Sequence, residues 1–207
     1  MELRQLLEQH RLMAIVRGRD PEASVRTAEV LVEAGVRLLE VSLTSADALR
    51  VLEATASVVG GRAHLGAGTV LSTDDARRAR DAGATFAVTP ALGEGVTAAV
   101  ELGMPVLAGA MTPTEVLAAH RAGATAVKLF PAGALGPDYV RALGDPFPGI
   151  GLVPVGGVGA DQIPAYFEAG ALAVGVAGPL AGDAPHGGDL EALRTRAAAF
   201  LAAVPSR

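Results

Sequence analysis

Lys128 is the one lysine in a chain whose Lys and Arg together number 17, so the other 16 (17 − 1) are arginine. It lies in the apolar run Ala126-Val127-Lys128-Leu129-Phe130, where a charged side chain is costly. An amine can lose its proton and attack a carbonyl, whereas a guanidinium stays protonated. A solitary amine in this setting is therefore a candidate for covalent catalysis through a Schiff base. Bias against lysine accounts for the arginines, but not for where the survivor sits. The second candidate is Glu40, in Leu38-Leu39-Glu40-Val41-Ser42-Leu43. Strand alternation places Leu39, Val41 and Leu43 on one face and Glu40 with Ser42 on the other. The same parity opposes Lys128 to Val127 and Leu129.

An acid and an amine meeting in a dry interior form either a structural ion pair or a catalytic couple, and a buried pair adds little net stability. The catalytic version is specific. The amine adds to a ketone and gives a carbinolamine, then an imine that serves as electron sink. The carboxyl moves protons to the departing hydroxyl, from a substrate hydroxyl during C–C cleavage, and onto the enamine carbon. Other chemistries find less support. The four histidines (His10, His64, His120, His186) form no metal-ligand spacing, so no metal is expected, and no motif asks for a cofactor. There is no cysteine, and no Ser or Thr has a histidine partner for a nucleophilic triad.

The elements that must hold these residues repeat. Helix-like segments end in glycine at Gly35, Gly83, Gly103, Gly123 and Gly170, which lie 48, 20, 20 and 47 residues apart, and a short apolar run follows each. Apolar runs bounded by Gly and Pro predict eight strands: Met13–Arg17, Leu38–Leu43, His64–Val70, Phe86–Pro90, Pro105–Ala110, Ala126–Phe130, Gly151–Gly157 and Ala171–Ala177. Helices fall between them, among them Pro21–Ala34, Ala46–Val58, Thr73–Ala82, Pro113–Ala122 and Asp161–Ala169, with Asp189–Val204 last. Ser72 or Thr73, Thr112-Pro113, and Asp161 ahead of Pro164 read as helix starts. Strands alternating with helices mean parallel strands, and eight units predict an α/β fold of the (β/α)8 barrel type. The expectation is one domain over residues 1–207, at about 26 residues per unit (207/8), preceded by a short N-terminal helix. An open doubly wound sheet is disfavoured, since no GxGxxG follows the first strand.

Composition narrows the partners. A net charge of −5 and a pI near 5.4 argue against nucleic acid. The basic cluster Arg77, Arg78 and Arg80 is framed by Asp74, Asp75 and Asp81 and reads as a solvated helix face. No apolar stretch approaches the ~20 residues of a membrane span, and the first ten residues read as an amphipathic helix rather than a signal peptide. The absence of cysteine fits a cytoplasmic protein. A small molecule with a carbonyl group, as the amine chemistry requires, remains as the expected partner.

Barrel enzymes work at the C-terminal ends of their strands. That rule selects Arg17, Glu40, Thr69, Pro90, Lys128 and the pair Gly156-Gly157, the last where barrels bind phosphate. Strands two and six are both even-numbered, so Glu40 and Lys128 can share one layer of the interior.

Six segments in order, Ala14-Ile15-Val16-Arg17-Gly18, Leu39-Glu40-Val41, Gly66-Ala67-Gly68-Thr69-Val70-Leu71, Val88-Thr89-Pro90, Lys128-Leu129-Phe130-Pro131-Ala132 and Val155-Gly156-Gly157-Val158, resemble the class I pyruvate aldolases. That group includes 2-keto-3-deoxy-6-phosphogluconate and 4-hydroxy-2-oxoglutarate aldolases and their 6-phosphogalactonate relatives. The resemblance implies a (β/α)8 barrel, usually a homotrimer, that reversibly cleaves its substrate to pyruvate and an aldehyde without a metal. It assigns the Schiff base to Lys128 and acid/base work to Glu40. It also implies a pyruvate contact for Thr69, pocket walls from Pro90 and Phe130, a charge from Arg17, and phosphate contacts from Gly156, Gly157 and Gly178.

Three positions depart from the family pattern. Thr44 stands where gluconate-type members commonly carry arginine; Val155 replaces a threonine; and Gly178, followed by Pro179, replaces a serine. The expected substrate is a 2-keto-3-deoxy-6-phospho sugar acid, giving pyruvate and glyceraldehyde 3-phosphate. The loss of two hydroxyl donors keeps a non-phosphorylated sugar acid, or 4-hydroxy-2-oxoglutarate, in play. Two further alternatives are a silent sugar-phosphate-binding barrel and a phosphosugar isomerase.

Overall fold

The computed structural model describes residues 2–205. In chain order the elements are α1 (Leu3–His10), β1 (Leu12–Val16), α2 (Pro21–Glu33), β2 (Leu38–Ser42), α3 (Ala48–Val59), β3 (His64–Gly68), α4 (Thr73–Asp81), β4 (Phe86–Val88) and α5 (Glu94–Glu101). There follow β5 (Val106–Ala110), α6 (Pro113–Arg121), β6 (Ala126–Leu129), α7 (Gly136–Gly144), β7 (Leu152–Pro154), α8 (Ile163–Glu168), β8 (Val174–Val176), α9 (Gly178–Ala181) and α10 (Leu190–Ala203). All eight strands are parallel, in the order β7-β6-β5-β4-β3-β2-β1-β8. The Val155↔Gly175 bridge and a 2.8 Å bond from the Leu172 N–H to the Leu152 carbonyl join the two ends.

The register fixes the barrel's geometry. From Ile15 the paired line runs through Glu40, Gly66 and Phe86. Extended by the printed offsets of the other strands and the bridge, it passes positions 105, 124, 149 and 169 and returns to β1 at position 7. The shift is eight residues (15 − 7), the shear of the (β/α)8 barrel.

Local chemistry explains the boundaries. Ser72 and Thr112 cap α4 and α6 by accepting from the third-residue amides, and Asp20 caps α2 ahead of Pro21. The predicted helix-ending glycines from Gly35 to Gly170 are all left-handed, with φ between 69° and 113°. Two expectations are corrected. Asp161 does not cap α8 but lies within a 3-10 turn, Ala160–Gln162, that leads into it. Several strands also stop earlier than predicted: β3 ends at Gly68 because Thr69 turns to φ 61°, and β7 ends at Pro154 ahead of Gly156 and Gly157, at φ 92° and 79°.

The core splits into two shells. Leu39, Val41, Val127 and Leu129 belong to the shell between strands and helices. Met13, Ile15, Leu38, Phe86, Leu107 and Val153 fill the barrel, and Leu3, Leu6 and Leu7 of α1 plug its floor. Strand parity alone separates these sets, because alternate residues face opposite sides of the sheet. Burying each such aliphatic side chain contributes about 1.5–3 kcal/mol. Among the described residues, no helix is long and apolar enough to cross a membrane.

Candidate active site

Glu40 and Lys128 both point into the barrel, 1% and 5% exposed. The register line through Glu40 reaches position 124 on β6, four residues short of Lys128 (128 − 124). A barrel of this shear climbs one residue at each of the four strand-to-strand steps, so the two side chains lie in one layer. The same count adds Val88 and Gly175. Gly175 contributes no bulk, and its vacant side is taken by Val155 Cγ2, 2.7 Å from where a Cβ would stand. The layer therefore holds an acid and an amine walled by aliphatic groups.

The two do not form an ion pair. Glu40 Oε2 is buried with no hydrogen-bond partner. Burial pushes the Glu40 carboxyl above the usual carboxylate range, and the positive charges of Lys128 and Arg17 only partly offset it. A carboxyl shifted in this direction holds its proton more tightly than a free one, which suits acid/base work. The lysine leans toward the mouth, where its Nζ lies 5.3 Å from the centre of the Phe130 ring.

Glycines make the room. A Cβ at Gly68 would collide with the Glu40 carboxyl, and one at Gly66 with the Phe86 ring. The Gly66-Ala67-Gly68 run is thus crowded, but in part by the catalytic candidate itself. Gly109 is Lys128's register partner on β5, and the backbone of Pro90 and Ala91 fills the space above it. Thr89 ties this crossing down, donating to the Ala91 carbonyl (2.8 Å) and accepting from the Gly109 amide (3.2 Å). The Pro90 backbone is thereby held against Gly109, the register neighbour of Lys128.

The remaining predicted residues ring the mouth. Arg17 follows β1 with the inward parity of Met13 and Ile15; its side chain is exposed, and its charge reaches Glu40. The Thr69 hydroxyl lies 3.1 Å from Ser42 Oγ. Phe130 is 40% exposed and lies against Gly156, whose Cβ would meet the ring at 3.0 Å. Gly157 and Gly178 present amides that donate to no backbone or side-chain group among the described residues. These two amides stand after β7 and at the start of α9, at the phosphate end of barrels. Pro179 has no N–H to add, and Val155 is packed inward, 3% exposed.

Sequence reasoning did not assign Gly68 and Gly109 to the site, although their inward parity marks both. The fold also brings His10 and His64 to 6.3 Å between ring centroids at the barrel floor. No three His, Cys, Asp or Glu residues cluster as metal ligands among the described residues.

Comparison with known proteins adds an independent line. The family model for KDPG and KHG aldolase matches residues 3–193. A probable 2-dehydro-3-deoxy-6-phosphogalactonate aldolase of Rhizobium meliloti is 36% identical over 194 residues, covering 93% of this chain and 90% of that protein. The 2-dehydro-3-deoxy-6-phosphogalactonate aldolase of Escherichia coli is 34% identical over 194 residues, covering 93% of each. Among solved structures, 2-keto-3-deoxy-6-phospho-gluconate aldolase from Zymomonas mobilis superposes with a TM-score of 0.86 at 26% identity, covering 98% of this chain and 97% of that one.

Proposed function

The chain belongs to the KDPG and KHG aldolase family of carbon–carbon lyases, and from that premise we propose that it cleaves a 2-keto-3-deoxy-6-phospho sugar acid through a Schiff base on Lys128. One observation carries the residue assignment: the single lysine is buried in the same layer as a buried carboxyl that has no partner. A structural ion pair would have satisfied both groups directly, and none forms here.

The proposed reaction uses both groups. The Lys128 amine attacks the C2 ketone, and the carbinolamine loses water with a proton from Glu40 to give a protonated imine. Glu40, now ionised, takes the proton of the C4 hydroxyl. The C3–C4 bond breaks, its electron pair flows to the imine as an enamine, and the aldehyde, glyceraldehyde 3-phosphate, departs. Glu40 returns the proton to C3, and water hydrolyses the imine to free pyruvate and Lys128. Burial raises the proton affinity of Glu40, which suits it to both directions of transfer.

Binding is divided around the mouth. Arg17 and Thr69 take the carboxylate and keto end, Pro90 and Phe130 wall the pocket, and the amides of Gly156, Gly157 and Gly178 take the phosphate. The relatives in the 6-phosphogalactonate branch support a phosphorylated substrate. The two positions without hydroxyl donors, Val155 and Gly178-Pro179, support a second reading, a non-phosphorylated acid bound by the same keto end. A homotrimer, as the resemblance implies, is the proposed assembly, and a cytoplasmic location accords with a chain lacking cysteine.

The test is reductive trapping. Borohydride with pyruvate adds a pyruvate-derived mass to the Lys128 peptide, and a coupled assay over a panel of sugar acids detects pyruvate release. An unmodified Lys128 peptide from fully treated, active protein would remove the Schiff base.

A further inference from the structure

The chain leaves β6 through a 3-10 turn, Ala132–Ala134, whose first amides find no carbonyl within the turn. They donate to the segment after β7 instead. The Ala132 N–H reaches the Val155 carbonyl at 2.8 Å, and the Gly133 N–H reaches the Gly156 carbonyl at 2.7 Å. Consecutive carbonyls of an extended strand point to opposite sides, so two that face one neighbour need a break between them. Gly156, at φ 92°, supplies it. Gly133 permits the close approach, since a Cβ there would stand 3.0 Å from both the Gly156 and Gly157 carbonyl oxygens.

A trans peptide unit is planar, with its N–H directed opposite to its C=O. Fixing the Val155 and Gly156 carbonyls toward the β6 turn therefore directs the Gly156 and Gly157 N–H groups away from it. β8 lies on that other side: Val155 is bridged to Gly175, and the Gly178 amide stands beyond the strand's end. Successive N–H groups turned one way form a concavity for an anion. The turn itself is held by Tyr166 of α8, fully buried, whose hydroxyl donates to the Ala132 carbonyl at 3.1 Å. The Leu135 N–H is the other donor to that oxygen, at 3.0 Å. Burial pushes the Tyr166 hydroxyl above its ordinary value, so it stays a donor.

We propose that Tyr166 is a positioning residue for the distal end of the substrate: its hydroxyl seats the Ala132-Gly133 amides on the segment after β7 and so aims the Gly157 N–H at the 6-phosphate. The dry setting makes this one bond count, because a buried polar contact is stronger than an exposed one. Lys128 lies four residues earlier (132 − 128), paired in register with Gly109 and Val153, so its own position does not depend on the turn. The inference rests on the phosphorylated-substrate reading above, because it needs an anion at Gly157.

Phosphate preference is the readout: kcat/KM for a 2-keto-3-deoxy sugar acid carrying a 6-phosphate, divided by the value for the same acid without it. The wild-type protein checks the underlying reading separately, since a ratio near one removes the phosphate from Gly157 and the inference with it. With a preference present, Tyr166→Phe keeps the ring in the core and lowers the ratio about 3–10-fold, the range of one neutral hydrogen bond. The change lies in the KM of the phosphorylated acid. Exchange of pyruvate methyl protons with deuterated solvent, followed by NMR, uses the keto end alone and keeps its wild-type kcat and KM. Gly133→Ala, which brings a methyl group against both carbonyls, lowers the ratio in the same way. A folded Tyr166→Phe protein with the wild-type ratio overturns the proposal, as does one whose pyruvate KM rises by the same factor as that of the phosphorylated acid. Should Tyr166→Phe not fold, Gly133→Ala decides alone by the same two criteria.

Discussion

Glu40 and Lys128 stand four strands apart in one layer of the barrel, both buried, and make no direct bond. A buried carboxyl oxygen left without a hydrogen-bond partner is costly to fold. The Schiff-base reading proposed above places a keto acid between the two groups, bonded to one and proton-linked to the other.

The first consequence concerns turnover. Glu40→Gln keeps the shape of the side chain and removes its titratable proton. We expect kcat for cleavage to fall about 10²–10⁴-fold, the usual share of a general acid/base. The pyruvate adduct on Lys128 should still form under borohydride, detectable by peptide mass. Wild-type turnover in this variant would take Glu40 out of the mechanism.

The same residue links stability to pH. Burial raises the Glu40 carboxyl above its unfolded value, so the folded state binds the proton more tightly. The stability contributed by that proton is fully present below the unfolded pKa and is lost as pH rises through the folded one. Glu40→Gln carries no such loss. Its melting temperature should exceed the wild-type value at pH 8, and the gap should close as the pH is lowered toward 4. A gap that widens on acidification would contradict the burial effect.

Gly68 is expected to tolerate no side chain. Gly68→Ala places a methyl group on the Glu40 carboxyl, so either the strand or the acid must move. Overpacking of this sort costs about 1–3 kcal/mol. Chemical denaturation should register that loss, and kcat should fall with it. An unchanged kcat would mean that the Glu40 position is not critical.

Arg17 tests the carboxylate contact. Arg17→Leu should raise the pyruvate KM about 10–100-fold, the worth of one charged hydrogen bond. Added salt should weaken pyruvate binding more in the wild type than in the variant, because an exposed charge is screened. Equal salt dependence in both proteins would remove Arg17 from the site.

Inorganic phosphate offers a probe of the distal end. It should compete with a phosphorylated sugar acid while leaving pyruvate proton exchange unaffected, if the Gly157 and Gly178 amides hold the phosphate as proposed. Inhibition of both reactions to the same degree would place the anion at Arg17 instead.

Much of this was legible from the chain alone. The repeat of glycine-ended helices and short apolar runs predicts all eight strands, since helix C-caps and strand periodicity are local properties. Strand parity likewise turns Glu40 and Lys128 inward, because alternation needs no knowledge of neighbouring strands. The lone lysine in an aliphatic run was conspicuous for the same reason: its setting is written in adjacent residues.

Other features depend on residues far apart in sequence. Register and shear decide that position 128 lies level with position 40, and neither segment encodes the offset by itself. The glycines at 68 and 109 read as weak strand positions until the Glu40 carboxyl and the Pro90 backbone are laid over them. The Thr69 backbone leaves the strand only where Ser42 of another strand holds its hydroxyl. The sequence by itself determined which elements form and which way their side chains face, because those follow from short-range stereochemistry. Only the closed barrel decided which groups share the interior and how far apart they stay, because closure alone sets distances between strands.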